Sequence, residues 1–246
     1  MYDIFSEYYD SLIRNIDYKK RTAYLLKLFK KYDRKPTLML DVGCGTGNFT
    51  FEFANMGIDM IGVDPSDSML AVAMDKSANS KVNPLFLCQS AEELDLYGTV
   101  DGAVCCLDTL NHITDYNKFK KAIAKISLFL EPERLFIFDV NTVYKHNTLL
   151  SQQTYTVEDE DVFCCWQNSK CDKNGKVDIT LDFFGKEADG RYVRQTESFS
   201  ERAYTKEQIE TALNKANFNV VAVFDDMTEN EPTDTSERLI YITRKK

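Results

Sequence analysis

Leu38-Met-Leu-Asp-Val-Gly-Cys-Gly-Thr-Gly-Asn-Phe-Thr50 decides the fold. Leu38 to Val42 is a short apolar run, the length of a buried strand. Three glycines follow at alternate positions, Gly43, Gly45 and Gly47. Beyond them Phe49, Phe53 and Met56 recur at helical spacing, and Gly57 supplies a stop. A strand, a glycine turn and a helix in that order make a nucleotide-binding corner. The glycines admit positive φ and let a ligand approach the backbone with no Cβ in the way. The helix start behind them offers N–H groups.

The spacing selects among ligands. A dinucleotide fingerprint needs G-x-G-x-x-G, whose last glycine lets helix and strand pack closely. Here that position is Asn48 counted from Gly43, or Thr50 counted from Gly45. The chain carries G-x-G-x-G instead, which speaks against a nicotinamide oxidoreductase. No Lys-Ser or Lys-Thr stands at P-loop spacing, so a triphosphate cradle is not expected either.

Asp41-Val-Gly-Cys-Gly-Thr-Gly47 closely resembles motif I of the class I S-adenosylmethionine (SAM) methyltransferases. The resemblance implies an α/β fold, a doubly wound seven-stranded Rossmann-like sheet. It also implies SAM as methyl donor and S-adenosylhomocysteine as product. In the family the glycine turn lies against the methionine and ribose parts of SAM, which matches Asp41, Gly43, Cys44, Gly45 and Gly47.

Composition sets outer bounds. The 246 residues can form one large domain, or one domain with an inserted subdomain. The 43% hydrophobic and 28% charged content is that of a globular chain. A net charge of −9 repels phosphate backbones, so nucleic acid is not the expected partner. No apolar run is long enough to span a bilayer and no signal peptide is recognisable, so a cytoplasmic location without a membrane partner is expected. The seven cysteines show no C-x-x-C and no zinc spacing. Cys105-Cys106 and Cys164-Cys165 are adjacent pairs, poorly suited to ordinary disulfides. All seven read as reduced, mostly buried small hydrophobes, and no metal is expected.

The chain before the first strand, 1–35, reads as a helical cap. Tyr24, Leu25, Leu28 and Phe29 mark an amphipathic helix that ends before Pro36. Small-molecule methyltransferases that resemble this chain carry Tyr-Asp elements ahead of motif I, with a Tyr closing over cofactor or acceptor. Tyr9 with Asp10 matches best, with Tyr2 and Tyr8 as alternatives. Equally, these tyrosines could simply pack a helix on the core.

Ile58 to Asp64 is the second strand, ending in an acid 17 residues after Gly47. A carboxylate there can accept both ribose hydroxyls. Asp64 matches the family's ribose-binding acid, followed by Pro65, Ser66 and Met69 on the next helix, near where adenine would lie. Its other reading is a cap for that helix. Pro84 to Glu92 is the third strand and its exit. Ser90, Ala91 and Glu92 match positions flanking the adenine; a plain loop capped by Ser90 is the alternative. Val100 to Asp108 is strand four, with Thr109-Leu-Asn-His112 after it, at the edge where open α/β sheets keep their chemistry. In the family this segment runs past the sulfonium methyl, which nominates Leu107 and Asp108 for cofactor contact and His112 for the acceptor. The Asn-Pro-Pro-aromatic signature of adenine methylation is absent. His146 has no such placement and reads as surface.

Thr114 is expected to cap a helix with Phe119, Ile123, Ile126 and Leu130 on its apolar face, and Arg134 to Val140 is strand five. The strand-helix alternation implies a parallel sheet covered on both faces. It breaks after strand five. From Thr154 to Phe199 the pattern has period two, with Val177, Ile179, Leu181 and Phe183 alternating with polar residues. Asn174-Gly175 and Asp189-Gly190 are hairpin signals. Three or four antiparallel strands are expected, roughly Tyr155–Lys170, Lys176–Phe184 and Arg191–Ser200. Residues 142–203 thus read as an inserted antiparallel lid on the acceptor side, between core segments 36–141 and 204–246. Glu158 to Asp161 is a charge run, solvated or able to attract a cationic amine. Thr205-Lys-Glu-Gln208 is a capping box, and Phe218 to Phe224 and Leu239 to Thr243 are the closing strands.

The resemblance implies a SAM-dependent methyltransferase for a small-molecule acceptor, with N-methylation as the leading subclass. His112 and Tyr9 are the candidate catalytic groups. A SAM-binding module without turnover and a protein acceptor are the rival readings.

Overall fold

A computed structural model describes residues 5–187 and 189–246; Tyr2 lies outside the described residues. The helices are α1 (Phe5–Leu12), α2 (Tyr18–Tyr32), α3 (Asn48–Asn55), α4 (Asp67–Ala78), α5 (Thr109–His112), α6 (Tyr116–Phe129) and α7 (Lys206–Lys215). The parallel strands β1 (Leu38–Val42), β2 (Asp59–Asp64), β3 (Leu85–Cys88), β4 (Gly102–Cys105) and β5 (Leu135–Asn141) form one sheet with β10 (Phe218–Asp225) and β11 (Arg238–Lys245). Its order is β10-β11-β5-β4-β1-β2-β3, and β11 runs antiparallel to both neighbours. β1 pairs with β2 on one side and β4 on the other. The chain therefore reverses direction across the sheet beside β1, and a crevice opens at the carboxyl ends of β1 and β4.

Strand alternation divides the core. Leu40 and Val42 of β1 face Phe119, Ile123 and Ile126 of α6 and Ile209 and Leu213 of α7. Met39 faces the opposite way, onto Leu25, Leu28 and Phe29 of α2 and Phe49 and Phe53 of α3. Each such side chain contributes roughly 1.5–3 kcal/mol of burial. The expected capping box on α7 is present, Thr205 with Gln208. The cap of α6 is Asp115, not Thr114. Asp115 Oδ1 accepts from Asn117 N (2.7 Å) and Lys118 N (2.9 Å), and its charge favours the helix N-terminus more than a hydroxyl does.

The strands β6 (Thr154–Glu158), β7 (Val162–Asn168), β8 (Lys176–Lys186) and β9 (Tyr192–Arg202) form a second, antiparallel sheet in that order. Val177, Ile179, Leu181 and Phe183 are fully buried on one face of β8, as their alternation requires. The stretch expected as Tyr155–Lys170 is two strands. The acidic run offers no buried face to continue the ladder beyond Glu158, and Asp159 to Asp161 turns the chain from β6 to β7. Glu158, Glu160 and Asp161 of that run are exposed, as a solvated charge run would be. Asp159 pairs with Arg14, just after α1, at 2.6 Å, and Arg14 also donates to Glu158 O.

The buried face of the second sheet receives Tyr8, Tyr9 and Leu12 of α1 and Met69 of α4. His146 lies on a π-helical segment, Lys145–Leu150, between the two sheets. It is fully buried, not at the surface, because this irregular turn drives the ring inward to Gly175 O, 3.0 Å from Nδ1. Burial pushes its pKa down to about 4.

Candidate active site

A cavity of about 490 Å³ occupies the crevice at the ends of β1 and β4. Its floor is the glycine turn. Gly43 N and Cys44 N both donate to Val63 O, at 2.8 and 3.0 Å, which pins the turn to the end of β2. Two of the glycines serve different ends. A Cβ on Gly43 would sit 2.1 Å from Thr109 Cγ2, so Gly43 lets α5 approach. A Cβ on Gly45, at φ +53°, would meet no atom of the described residues within 4 Å. The open space beside Gly45 belongs to the cavity, whose wall Gly45 forms.

Asp64 ends β2 and is 8% exposed. Its Oδ2 accepts from Gly45 N (3.0 Å) and Oδ1 from Ser66 N (2.9 Å). Burial raises its pKa, and the two backbone donors partly offset that. Each carboxylate oxygen keeps acceptor capacity. The cap of α4 is Ser66, whose Oγ accepts from Met69 N at 3.3 Å.

Among the expected site residues, Tyr9, Gly43, Cys44, Gly45, Asp64, Pro65, Met69, Ser90, Ala91, Glu92, Leu107 and His112 line this one cavity. Asp41, Gly47, Ser66 and Asp108 do not. Asp41 lies behind the turn, fully buried, and accepts from Thr50 Oγ1 at 2.6 Å. Burial pushes its carboxyl up to about 6. Asp108 and Leu107 both have left-handed backbones, φ 58° and 53°. Their N–H groups each donate to the Asp139 carboxylate at 2.8 Å, and Arg238 pairs with Asp139 from below. Asn141 Nδ2 donates to Asp108 Oδ2 at 2.6 Å. Burial works against ionisation of Asp108, but Arg238, then His112 and Lys145, outweigh it and hold the acid below its usual range.

On the adenine side, Ser90 Oγ is buried and completes no hydrogen bond of full geometry, although it helps to keep Glu92 ionised. Glu92 pairs with Lys118 at 3.1 Å. At the other end Tyr9 closes the cavity. Burial, then Tyr18 and Asp108, raise the Tyr9 phenol well above its ordinary value, so it stays protonated at neutral pH. α1 is held there by Asp10, which accepts from Thr46 Oγ1 and Asn48 Nδ2, both at 2.8 Å, and pairs with Lys76 at 2.6 Å. His112 ends α5, its ring 5.2 Å from that of Phe199 on β9.

Sequence reasoning missed several wall residues, among them Tyr18, Thr46, Asn48, Gln89, Thr109 and Lys118. Thr46 and Asn48 sat inside the quoted stretch, and their polarity between glycines was the available signal. Lys118 is one of many lysines on a helix surface and carried none.

The methyltransferase domain family matches residues 39–133. A provisionally named methyltransferase of Geobacillus sp. (strain WCH70) is 30% identical over 245 residues, 99% of each chain. The crystal structure of a SAM-dependent methyltransferase from Clostridium acetobutylicum ATCC 824 superposes with a TM-score of 0.89 at 30% identity, over 99% of this chain and 98% of that one. The chain belongs to the class I SAM-dependent methyltransferases. The methyltransferase also shares its fold with the sugar N-methyltransferase KedS8 from Streptoalloteichus sp., with a TM-score of 0.77 at 17% identity, over 100% of this chain and 93% of that one.

SAM is the methyl donor of this methyltransferase. The cavity fits it on local grounds. It is of ligand size. It offers bare backbone at Gly45, a buried carboxylate at Asp64, and apolar walls at Phe49, Met69 and Ala91. No helix among the described residues is long and apolar enough to cross a membrane.

Proposed function

We propose that the methyltransferase methylates a small-molecule acceptor at an amine nitrogen. The bound cofactor supplies an activated methyl group on a cationic sulfur. In this reading Asp64 grips the ribose, the backbone at Gly43, Cys44 and Gly45 receives the methionine part, and Ser90, Ala91 and Glu92 flank the adenine with Met69 and Pro65. Asp41, Gly47 and Ser66 act from behind the wall by fixing the turn. Leu107 and Asp108 shape the segment beside the methyl. Tyr9 and His112 border the acceptor.

The observation that carries the reading is electrostatic. Among the described residues the cavity wall includes three carboxylates, Asp64, Glu92 and Asp115, against one lysine, Lys118, already paired with Glu92. Such a wall favours a sulfonium and an amine over an anionic acceptor. An amine reacts as the free base, and His112 is a residue of the wall able to take its proton. Tyr9, protonated, can donate or accept a hydrogen bond but is no base. The sugar N-methyltransferase with the same fold is consistent with this substrate class. We assign residues 1–35 as cap, 36–141 and 204–246 as core, and 142–203 as the acceptor-side lid, which closes over the cavity through α1 and excludes water. The packing of Tyr8, Tyr9 and Leu12 on the second sheet supports that division.

The test is a panel of amino sugars, simple amines and matched hydroxyl compounds with methyl-labelled SAM, the product located by mass spectrometry. Label on nitrogen is expected. Transfer confined to oxygen, or to protein alone, would overturn the amine reading.

A further inference from the structure

The chain has two histidines, and one buried carboxylate lies between them. It belongs to Glu201, near the end of β9, 3% exposed. Oε1 is 3.8 Å from His112 Nε2. Oε2 is 3.7 Å from His146 Nε2 and 3.3 Å from Asn141 Nδ2. His146 Nδ1 sits 3.0 Å from Gly175 O, and a carbonyl can only accept. The proton of His146 is therefore on Nδ1, and its Nε2 presents a lone pair that cannot donate to Glu201. Asn141 serves Oε2, and His112 is the imidazole left to serve Oε1.

The end of β9 is fastened to the segment that carries His112. Asn111 Nδ2 donates to Arg202 O at 2.9 Å, and Arg202 Nη1 donates to Thr114 O at 3.0 Å. Phe199 of the same strand backs the His112 ring. The 3.8 Å separation exceeds a hydrogen bond by under an ångström.

We propose that Glu201 is a positioning residue for His112, accepting a hydrogen bond from its Nε2–H so that Nδ1 is the basic atom of the ring. This rests on the reading of His112 as the acceptor-side base. It gives the inserted sheet a second part in the reaction: besides covering the site, it supplies the group that orients the base. The same logic orients catalytic imidazoles elsewhere, where a buried carboxylate fixes tautomer and ring direction.

The test needs no acceptor. Protein with ¹⁵N-labelled histidine rings is saturated with S-adenosylhomocysteine, and ring N–H protons are observed directly by NMR near pH 8. A proton shared with a buried carboxylate exchanges slowly with water and is visible. The expected spectrum shows one on His112 Nε2, lost in His112→Gln. Glu201→Leu removes it, and Glu201→Gln, which keeps an acceptor oxygen, restores a weaker signal. Calorimetry with S-adenosylhomocysteine should change by less than threefold in both Glu201 variants. Absence of the Nε2 proton in the wild type, or its survival in Glu201→Leu, overturns the proposal. If the variants fail to fold, the wild-type spectrum alone decides. A negative result here leaves the amine reading standing, and a negative acceptor panel leaves this one standing.

Discussion

Replacing Gly45 with alanine puts one methyl group into the space assigned to the cofactor. The free protein should tolerate it. The new Cβ meets nothing within 4 Å among the described residues, so the cost is that of holding an L residue at φ +53°, about 1–2 kcal/mol. For a chain of this size that is a fall in Tm of roughly 2–4 °C per kcal/mol. Binding should suffer far more, because a methyl group there overlaps a ligand lying on the backbone. A loss of at least tenfold in SAM affinity, about 1.4 kcal/mol or more, is expected by calorimetry. Gly43→Ala is the contrasting variant. Its Cβ would lie 2.1 Å from Thr109 Cγ2 and 2.6 Å from Thr109 Oγ1, so α5 must shift and the fold itself should be damaged. Folded Gly45→Ala protein with wild-type SAM affinity would refute the assignment of the space beside Gly45. Equal destabilisation by the two variants would refute the distinction between a packing glycine and a ligand glycine.

Three further outcomes are expected. Asp64→Asn should weaken SAM binding by roughly one to two decades, the worth of a charge-assisted hydrogen bond of about 1.5–3 kcal/mol; wild-type affinity in calorimetry would remove the ribose role. Asp41 titrates near 6 in the folded protein and lower when unfolded, so its contribution is full below the unfolded pKa and is lost as pH rises through 6. The ionised group then costs at most about 3 kcal/mol, and urea titrations at pH 4 and pH 8 should show a smaller fall for Asp41→Asn than for wild type, an equal fall counting against it. Asp10→Ala severs the contacts of α1 with Thr46, Asn48 and Lys76; stopped-flow measurement should show SAM dissociating about tenfold faster, roughly one charged hydrogen bond, and an unchanged rate would mean that α1 does not retain the cofactor.

The parts legible in sequence share a property: their information is local. The turn after β1, the acid at the end of β2, the Asn174-Gly175 hairpin and the capping box at Thr205 all lie within a few residues of what they shape. Period-two alternation likewise announced the buried face of β8. Patterns of that kind say which face is buried but not what lies opposite. Asp108 looked like a wall residue because of its place after β4. It is instead tied to Asn141 and Arg238, 33 and 130 residues further on. His146 looked superficial because the π-helical turn around it has no periodic signature. Glu201 was invisible for the same reason: an acid near a strand end is usually solvated, and the two histidines beside it come from α5 and the π-helical turn, distant in sequence. The acidic run at Glu158 is solvated as its composition suggested, but the pairing of Asp159 with Arg14, 145 residues away, left no local trace.

The position of β11 bears on the order in which the protein can assemble. It pairs with β5 about a hundred residues earlier in the chain and separates β5 from β10, although both precede it. Until β11 emerges during synthesis, β5 presents an open hydrogen-bonding edge in the middle of the future sheet, a template for pairing with other chains. Arg238, its first residue, is also the cation beneath the Leu107–Asp108 turn. The strand that seals the sheet and the charge that steadies that turn thus arrive together. A nascent chain halted before Arg238 should hold a recognisable glycine corner yet lack a settled Leu107–Asp108 turn, and it should be a client for chaperones until those residues are made.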